Sequence, residues 1–236
     1  MAGLVDEVPD VVLAVYAHPD DPEVSAGGSL ALWAGAGAVV HVCVCADGDK
    51  GSLDPETDPE ELVRVRKAET AAAGAILGVS EHHWLGVPDG EIGAEAGLVS
   101  GLVSLIRRVK PTLVVAPDPT AVFFGQEYFN HRDHRICGMV ALDAVSPAAA
   151  LPHYFPGAGP AHQVGTVLLS GTLEPDVWVD ISETISRKGE AVGCHRSQFP
   201  DGVEWATTAV TLSAEDAGRA AGVPYAEGFR RLRLGG

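Results

Sequence analysis

The stretch VVLAVYAHPDDPE, residues 11–23, decides the fold of this chain. Its first seven residues form an uninterrupted apolar run, which is typical of a β-strand buried on both faces. The run ends at His18, and Pro19 and two aspartates follow, so polar side chains come directly after the carboxyl end of the strand. The stretch therefore predicts the first buried strand of a sheet, with polar groups at its end.

Outward from this stretch, strand and helix patterns alternate along the chain. Strands are predicted at 11–17, 38–46, 82–85, 112–117, 164–170 and 177–181. Helices are predicted at 26–35, 58–77, 94–109, 132–145 and 183–195. The alternation indicates an α/β sandwich with a mostly parallel sheet. We expect one domain, residues 1–236, with a C-terminal elaboration from about 200 in which 206–211 suits a strand and 213–221 a helix.

Polar residues follow several of the predicted strands. They form the segments 18–21, 47–49, 86–89 and 117–118. In an open α/β sheet the ligand binds outside the carboxyl ends of the strands. We therefore expect the chemistry of this protein at that rim of the sheet.

The composition is acidic, yet rich in apolar residues. With 16 Lys and Arg against 32 Asp and Glu the formal net charge is −16, and 46% of the residues are hydrophobic. The charge argues against nucleic acids and anionic membranes as partners, because both are bound through clustered Lys and Arg. No run of about 18 apolar residues predicts a spanning helix, and the first 20 residues contain no basic region, so we expect a soluble protein without a secretory signal. The four cysteines form no C-x-x-C pair, so we expect reduced thiols in a cytoplasmic protein.

The first motif that can carry chemistry is HPDDPE, residues 18–23. It presents one imidazole and two neighbouring carboxylates at the end of a strand. Neighbouring residues in a turn diverge, so we expect one carboxylate to join His18 on a metal ion and the other to handle a proton. The structural alternative is a turn and a helix cap, since aspartate is favoured in both.

The second motif is NHRDHR, residues 130–135, at the start of a predicted helix. His131 and His134 are three residues apart, so one helical turn can aim both at the same centre. Asp133 can orient a neighbouring imidazole through its second ring nitrogen. A charged, solvated helix start is the structural alternative for this motif taken alone.

Together the two motifs supply the ligands of a catalytic metal site. His18, Asp21 and His134 offer two imidazoles and a carboxylate and leave a position open, which suits Zn2+ or another divalent ion such as Fe2+. Non-haem iron oxygenases use the same ligand set, but they are typically all-β barrels, which the alternation of strands and helices argues against. The sequence contains no serine-hydrolase elbow, dinucleotide fingerprint or Walker A lysine.

AHPDDPE (17–23) and NHRDHR (130–135) together resemble the metal motifs of the LmbE-like or PIG-L-type N-acetylglucosaminyl deacetylases. Shorter segments are similar too: DGDKG (47–51), RKAET (66–70), LGVPDG (85–90) and the late segment 179–199. The resemblance extends over about 11–200. It implies a Rossmann-like α/β fold with helices on both faces of the sheet. It also implies zinc-dependent hydrolysis of the N-acetyl group of amino sugars and related amides.

The resemblance further implies roles for individual residues. The expected metal ligands are His18, Asp21 and His134. Asp20 is expected to be the general base. His131 is expected to polarise the amide carbonyl or to protonate the departing amine. Asp133 is expected to hold a histidine in place.

Substrate binding is implied for two further residues. Arg66 and Asp89 fall where relatives bind sugar hydroxyls. Arg132 departs from the family, in which proline is common at this position, and therefore bears on substrate preference. The loop 121–129 is expected to determine what fits the site. By contrast, we interpret His41 as an interior histidine and not as a ligand, since it lies in an apolar strand.

We therefore expect an enzyme, a metal-dependent N-deacetylase whose small-molecule substrate is an N-acetylglucosamine-type amino sugar or its conjugate. One alternative is an amidase of the mycothiol-conjugate type, which cleaves a non-acetyl amide. Another is a metal- or sugar-binding protein without turnover, although such a protein would need neither Asp20 nor His131. A homo-oligomer is compatible with the sequence. His195, in the late family-like segment, is expected to pack or cap rather than to touch the site.

Overall fold

A computed structural model of the chain describes residues 3–93, 96–126, 128–199 and 202–234. Strands and helices alternate in its first half. The strands are β1 (Gly3–Leu4), β2 (Val11–Tyr16), β3 (Val39–Ala46), β4 (Glu81–Val87) and β5 (Leu113–Pro117). The helices are α1 (Asp21–Gly35), α2 (Pro59–Leu77) and α3 (Ala96–Val109). The predicted order of elements is confirmed here.

The second half opens with a short hairpin and continues with helices and strands. The hairpin consists of β6 (Phe123–Phe124) and β7 (Tyr128–Phe129), and the next elements are α4 (Arg132–Asp143), β8 (Thr166–Ser170) and β9 (Val177–Asp180). The last elements are α5 (Ile185–Val192), α6 (Glu204–Ala221) and β10 (Ala226–Arg233). None of the helices in the described ranges combines the length and the apolar character that crossing a bilayer requires.

Eight strands form one sheet in the order β1-β9-β10-β8-β5-β2-β3-β4. β2 pairs in parallel with β3 and β5, β3 with β4, and β5 with β8. β10 runs antiparallel to both of its neighbours, β8 and β9. The sheet is therefore mostly parallel, as predicted, and the carboxyl ends of β2 to β5 meet at one rim.

Helices cover both faces of this sheet. Leu13 and Val15 of β2 pack with α3 and α4 in one buried cluster. The alternate residues Val12, Ala14 and Tyr16 pack with α1 and α6 in a second cluster on the opposite face. Because successive side chains of a strand point to opposite faces, burial of both faces requires an uninterrupted apolar run. The predicted sandwich is confirmed.

The C-terminal region differs from the prediction. Residues 206–211, expected to form a strand, lie inside α6. Threonine and valine in this segment favour a strand locally, but the inward positions recur every fourth residue, which is the helical period. These buried positions are Ala206, Val210, Ala214 and Gly218. The sequence pattern also does not predict β10, because its three arginines interrupt the apolar alternation.

Two helix boundaries also differ. α1 begins at Asp21 and not at residue 26, because Pro22 is well tolerated in a first helical turn, where its missing N–H costs no hydrogen bond. α5 ends at Val192, so His195 lies beyond it. Residues 94 and 95, the start of the predicted helix 94–109, lie outside the described residues.

A buried ion pair joins helix α5 to the last strand, β10. Lys188 Nζ lies 2.5 Å from Glu227 Oε1, and the same carboxylate accepts the backbone N–H groups of Gly28 and Ser29 on α1. Both charged side chains are almost fully buried. Replacing Glu227 by alanine leaves an unpaired charge and two N–H groups without their acceptor. We expect Glu227→Ala to lower the free energy of unfolding by about 3–5 kcal/mol, measured by urea denaturation.

An exposed ion pair on the same strand provides the control. Arg230 Nη1 lies 3.3 Å from Glu174 Oε2, whose side chain is largely in solvent. Glu174→Ala should lower the free energy of unfolding by less than about 1 kcal/mol. Equal losses for the two alanine variants would show that the buried pair between α5 and β10 stabilises the fold no more than an exposed pair does.

Candidate functional site

The first motif forms a tight turn between β2 and α1. The backbone N–H of His18 donates to Asp21 Oδ2 at 2.8 Å, which ties the end of the strand to the first helical turn. Between them Asp20 has a φ of 108°, a conformation that residues with side chains rarely adopt. Asp20 occupies the N-cap position of α1, yet its side chain makes no capping hydrogen bond. Capping therefore does not account for this carboxylate, which lines a pocket instead.

The second motif begins helix α4. His131 is the N-cap residue, and its Nδ1 accepts the backbone N–H of Asp133 at 3.2 Å. His134 follows within the first turn of the helix. Since α4 packs against β2 and β5, its amino-terminal end lies beside the turn that follows β2. Sequence motifs more than 100 residues apart thus meet at the predicted rim of the sheet.

Three side chains converge where the motifs meet. His18 Nδ1 lies 3.2 Å from His134 Nε2 and 3.4 Å from Asp21 Oδ2. His134 Nε2 lies 3.1 Å from Asp21 Oδ1. Tetrahedral ligands at about 2.0–2.2 Å from a zinc ion are themselves roughly 3.3–3.6 Å apart, so these separations suit one shared metal ion. The structure therefore brings the three predicted ligands together.

The outer ring nitrogens of both histidines face acceptors. His18 Nε2 lies 3.2 Å from Asp89 Oδ1 and 3.5 Å from Asp133 Oδ2. His134 Nδ1 lies 2.9 Å from Asn130 Oδ1. An acceptor at the outer nitrogen keeps the proton there, so the inner nitrogen presents its lone pair to the centre. The donor set, two oriented imidazoles and a carboxylate, fits a divalent cation.

Asp133 contacts a predicted metal ligand, and Arg132 contacts the loop beside the site. Asp133 is fully buried, accepts the backbone N–H of Gly90 at 2.7 Å and faces His18, not the histidines beside it in the sequence. Arg132 donates to the carbonyl oxygens of Gly90 and Ile92 at 3.3 and 2.6 Å. The guanidinium of Arg132 therefore links the loop after β4 to the start of α4.

Arg66 holds the loops that carry the first motif. It is buried on α2, and its Nη2 lies 2.5 Å from the carbonyl oxygen of Pro19 and 3.4 Å from Asp20 Oδ2. Its Nη1 donates to the carbonyl oxygen of Gly48 at 3.2 Å. Gly48 has a φ of 69°, and a Cβ there would collide with the guanidinium. Arg66 lines the pocket, but two of its nitrogens are already engaged by backbone.

The charges of the site are set by burial and by its neighbours. Burial and the adjacent Asp21 carboxylate raise the pKa of Asp20 to about 7, although Arg66 acts in the opposite direction. Burial, together with the charge of His18, lowers the pKa of His131. Near neutral pH, Asp20 can therefore both accept and release a proton, while the imidazole of His131 is uncharged.

A pocket of about 300 Å³ opens over these side chains. Its lining consists of His18, Asp20, Asp21, Gly51, Arg66, Asp89, Tyr128, His131, His134 and Gln198. Every residue that the sequence predicts for the site lines this pocket except Asp133, which lies under His18. The structure therefore assembles the predicted set in one place.

Three side chains of the site have no predicted role of their own. Asn130 adjoins the second motif, and its spacing of four residues from His134 is a signal that could have revealed the contact. Tyr128 lies on the β6–β7 hairpin. Gln198 reaches the pocket from a distant segment and donates to the carbonyl oxygen of Gly51 at 3.2 Å. Tyr128 belongs to the loop 121–129, which is expected to determine what fits the site, and it does line the pocket. No local pattern predicts Gln198, because only the fold brings it to the rim.

His195 lies outside the pocket, as expected. Its side chain is fully buried, and Nε2 lies 3.3 Å from Glu23 Oε2, which is fully buried as well. Glu23 belongs to the first turn of α1, directly after the metal motif. His195 therefore packs behind this turn, whereas Gln198 of the same late segment reaches the pocket.

Comparisons with known proteins agree with this arrangement. The profile of the PIG-L family, described as GlcNAc-PI de-N-acetylase, matches residues 13–145, more than half of the chain. Diacetylchitobiose deacetylase of Thermococcus kodakarensis is 33% identical over 226 residues, which cover 93% of this chain and 82% of that protein. The structure of N,N'-diacetylchitobiose deacetylase from Pyrococcus horikoshii superposes with a TM-score of 0.87 at 30% identity, covering 95% of this chain and 84% of that one.

A second, longer relative matches a smaller share of this chain than the first relative does. The 1D-myo-inositol 2-acetamido-2-deoxy-alpha-D-glucopyranoside deacetylase of Streptomyces avermitilis is 31% identical over 190 residues, which cover 70% of this chain but 62% of the relative. The profile match contains both metal motifs, and the first relative is matched over nearly the whole chain. This chain belongs to the PIG-L family of LmbE-like de-N-acetylases.

Proposed function

We propose that this protein is a metal-dependent hydrolase that removes the N-acetyl group from an N-acetylglucosamine-type amino sugar or its conjugate. One observation carries the proposal. His18, Asp21 and His134 converge at separations of 3.1–3.4 Å on the floor of a pocket that also exposes the carboxylate of Asp20. A binding protein would need the three converging side chains but not the additional carboxylate.

The ion that we propose is Zn2+, with Fe2+ as the alternative. Two imidazoles and one carboxylate with an open side are typical of catalytic zinc sites. When bound there, such an ion would polarise the amide carbonyl and lower the pKa of a water molecule beside it. Asp89, Asp133 and Asn130 hold the two histidine rings in the orientation that this binding needs.

Asp20 and His131 are the proposed proton-handling groups. Asp20 would accept the proton of the attacking water at its carboxylate, close to the three converging side chains but not one of them. His131 would hydrogen-bond the carbonyl oxygen as that atom gains charge, or protonate the departing amine. Arg66 keeps Asp20 in place through its bond to the carbonyl oxygen of Pro19.

The rest of the pocket suits a sugar. Asp89 lines it and can accept hydrogen bonds from vicinal hydroxyls, in addition to its contact with His18. Tyr128 lines it from the β6–β7 hairpin, whose cross-strand pair Phe123 and Phe129 is about 70% exposed. Aromatic rings at the mouth of a polar pocket offer apolar faces to pyranose rings, so we assign this hairpin to the part of the substrate beyond the acetylated sugar.

The substrate class is tested with a panel of amides and added zinc. N-acetylglucosamine, its β-linked disaccharide and an N-acetylglucosamine glycoside of inositol would be compared with N-acetyl amino acids and with longer N-acyl glucosamines. We expect release of free amine and acetate from the N-acetyl sugars. Cleavage confined to N-acyl amino acids or to the longer acyl amides would contradict a sugar N-deacetylase and indicate an amidase of another specificity.

Variants at the pocket wall refine this test. Arg66→Ala and Asp89→Asn should lower kcat/KM for the sugars by roughly one to three orders of magnitude, the loss expected when charged hydrogen bonds are removed. Arg64→Ala is the matched control, since Arg64 lies on the same helix but is exposed. Bound metal should stay at the wild-type level, because asparagine keeps an acceptor oxygen beside His18 Nε2 and Asp133 faces the same nitrogen. If metal content fell in parallel with activity, the two residues would support the metal ligands rather than the substrate.

The location of the protein is a further part of this proposal. We infer a cytoplasmic enzyme from the cysteines, of which Cys43, Cys45 and Cys137 are buried as free thiols. Reduced thiols are the rule in that compartment.

A further inference from the structure

A second cluster of metal-ligating side chains lies at the edge of the sheet, away from the pocket. It comprises His41 on β3 together with Glu81 and His83 on the edge strand β4. His41 Nδ1 lies 3.1 Å from His83 Nε2, and each of these nitrogens lies 3.7 Å from Glu81 Oε2. From the sequence His41 is expected to be a plain interior histidine, but the fold places it beside two further ligands.

The pairing of the strands builds this cluster. His41 is opposite Glu81 in the parallel ladder, and His83 is two residues further along β4, so the three side chains point to the same face of the sheet. The separations resemble those among the converging side chains of the pocket, and they are close to the ligand spacing around a tetrahedral ion. The two imidazoles are largely buried, whereas Glu81 reaches solvent and leaves a route for an ion.

We propose that His41, Glu81 and His83 form a second divalent-metal site, which binds a borderline ion such as Zn2+ and clips the edge strand β4 to β3. Two imidazoles and one carboxylate are the donors that zinc prefers. Two ring nitrogens 3.1 Å apart cannot both present a bare lone pair to each other, so either a proton or a cation lies between them.

Arg108 competes with metal binding at this site, so we expect the site to bind zinc more weakly than the pocket does. Arg108 Nη2 lies 3.3 Å from His83 Nδ1. Donation from Arg108 to Nδ1 requires the proton of His83 to be on Nε2, where it points at His41. Metal binding through Nε2 moves that proton to Nδ1 and displaces Arg108, whose positive charge also opposes the ion. We therefore expect the site to fill only when zinc is added.

The test uses zinc itself and a protein whose pocket site has been removed. Metal-free His134→Ala is titrated with Zn2+ in competition with a chromophoric chelator, and thermal unfolding is followed in parallel. We expect one zinc ion per chain and a higher Tm with zinc. Adding His41→Ala should abolish both effects, and adding Glu81→Gln, a change at an exposed side chain, should weaken binding by roughly tenfold or more.

Two further variants make the result specific. Arg108→Gln should tighten zinc binding by roughly tenfold, because it removes a nearby cation and replaces the guanidinium with a shorter, neutral side chain. His153→Ala, which removes an exposed histidine from another part of the surface, should change nothing. The proposal is overturned if His134→Ala binds no zinc, if His41→Ala leaves the binding unchanged, or if Arg108→Gln weakens it. Since the readout is metal binding and Tm, none of these outcomes depends on deacetylase activity.

Discussion

Replacing His134 by alanine is expected to remove the metal ion that the purified protein carries. Wild-type protein, dialysed against metal-free buffer, should retain about one zinc ion per chain, and His134→Ala should retain almost none. The reason is geometric: His134 Nε2 is 3.1–3.2 Å from both of the other converging side chains, so its loss leaves two ligands, one of them a carboxylate. Elemental analysis measures the metal, and turnover should fall to the background of the assay.

A substitution at a histidine outside the pocket controls for the general effect of removing an imidazole. His153→Ala removes an exposed ring that lies outside the pocket lining, and it should leave metal content and turnover at the wild-type level. Adding excess zinc to His134→Ala should not restore turnover, even if the cluster at the sheet edge takes up an ion. Wild-type metal content in dialysed His134→Ala would refute the proposed ligand set.

The second large effect is expected from Asp20→Asn. This variant should keep near-normal zinc while its turnover falls on the order of a hundredfold or more, as removal of a general base predicts. Asp20 and Asp21 are neighbours, but Asp21 faces both histidines, whereas Asp20 faces Arg66 Nη2 at 3.4 Å. Asparagine tolerates a positive φ better than most residues, so the turn should keep its shape.

The reciprocal variant makes the assignment of the two aspartates decisive. Asp21→Asn should lose zinc, because the carboxylate between the two histidines becomes a neutral amide. Kinetics and elemental analysis on both variants separate the base from the ligand. Loss of zinc from Asp20→Asn together with retention in Asp21→Asn would require the two roles to be exchanged.

Much of the fold follows from the sequence, because burial on both faces of a parallel sheet demands uninterrupted apolar runs. Residues 11–17 and 38–46 show this signal clearly, and β2 and β3 form there. The predicted strand at 206–211 is wrong. Threonine and valine favour a strand there by local preference, but the residues that face the core are spaced for a helix. The sequence pattern also does not predict β10, because its arginines interrupt the apolar alternation. This strand is stabilised by pairing with β8 and β9.

For the site, the sequence alone determined which residue types are available and on which rim they lie. HPDDPE and NHRDHR follow strands or begin helices, and the fold class places such segments together. Only the tertiary structure decided how they are used. It turned Asp133 towards His18, engaged Arg66 with backbone carbonyl oxygens and brought Gln198 to the pocket. These contacts join residues that are 18 to 147 positions apart in the sequence. Local sequence cannot specify them, because the packing of helices on the sheet fixes the distance and direction of each side chain.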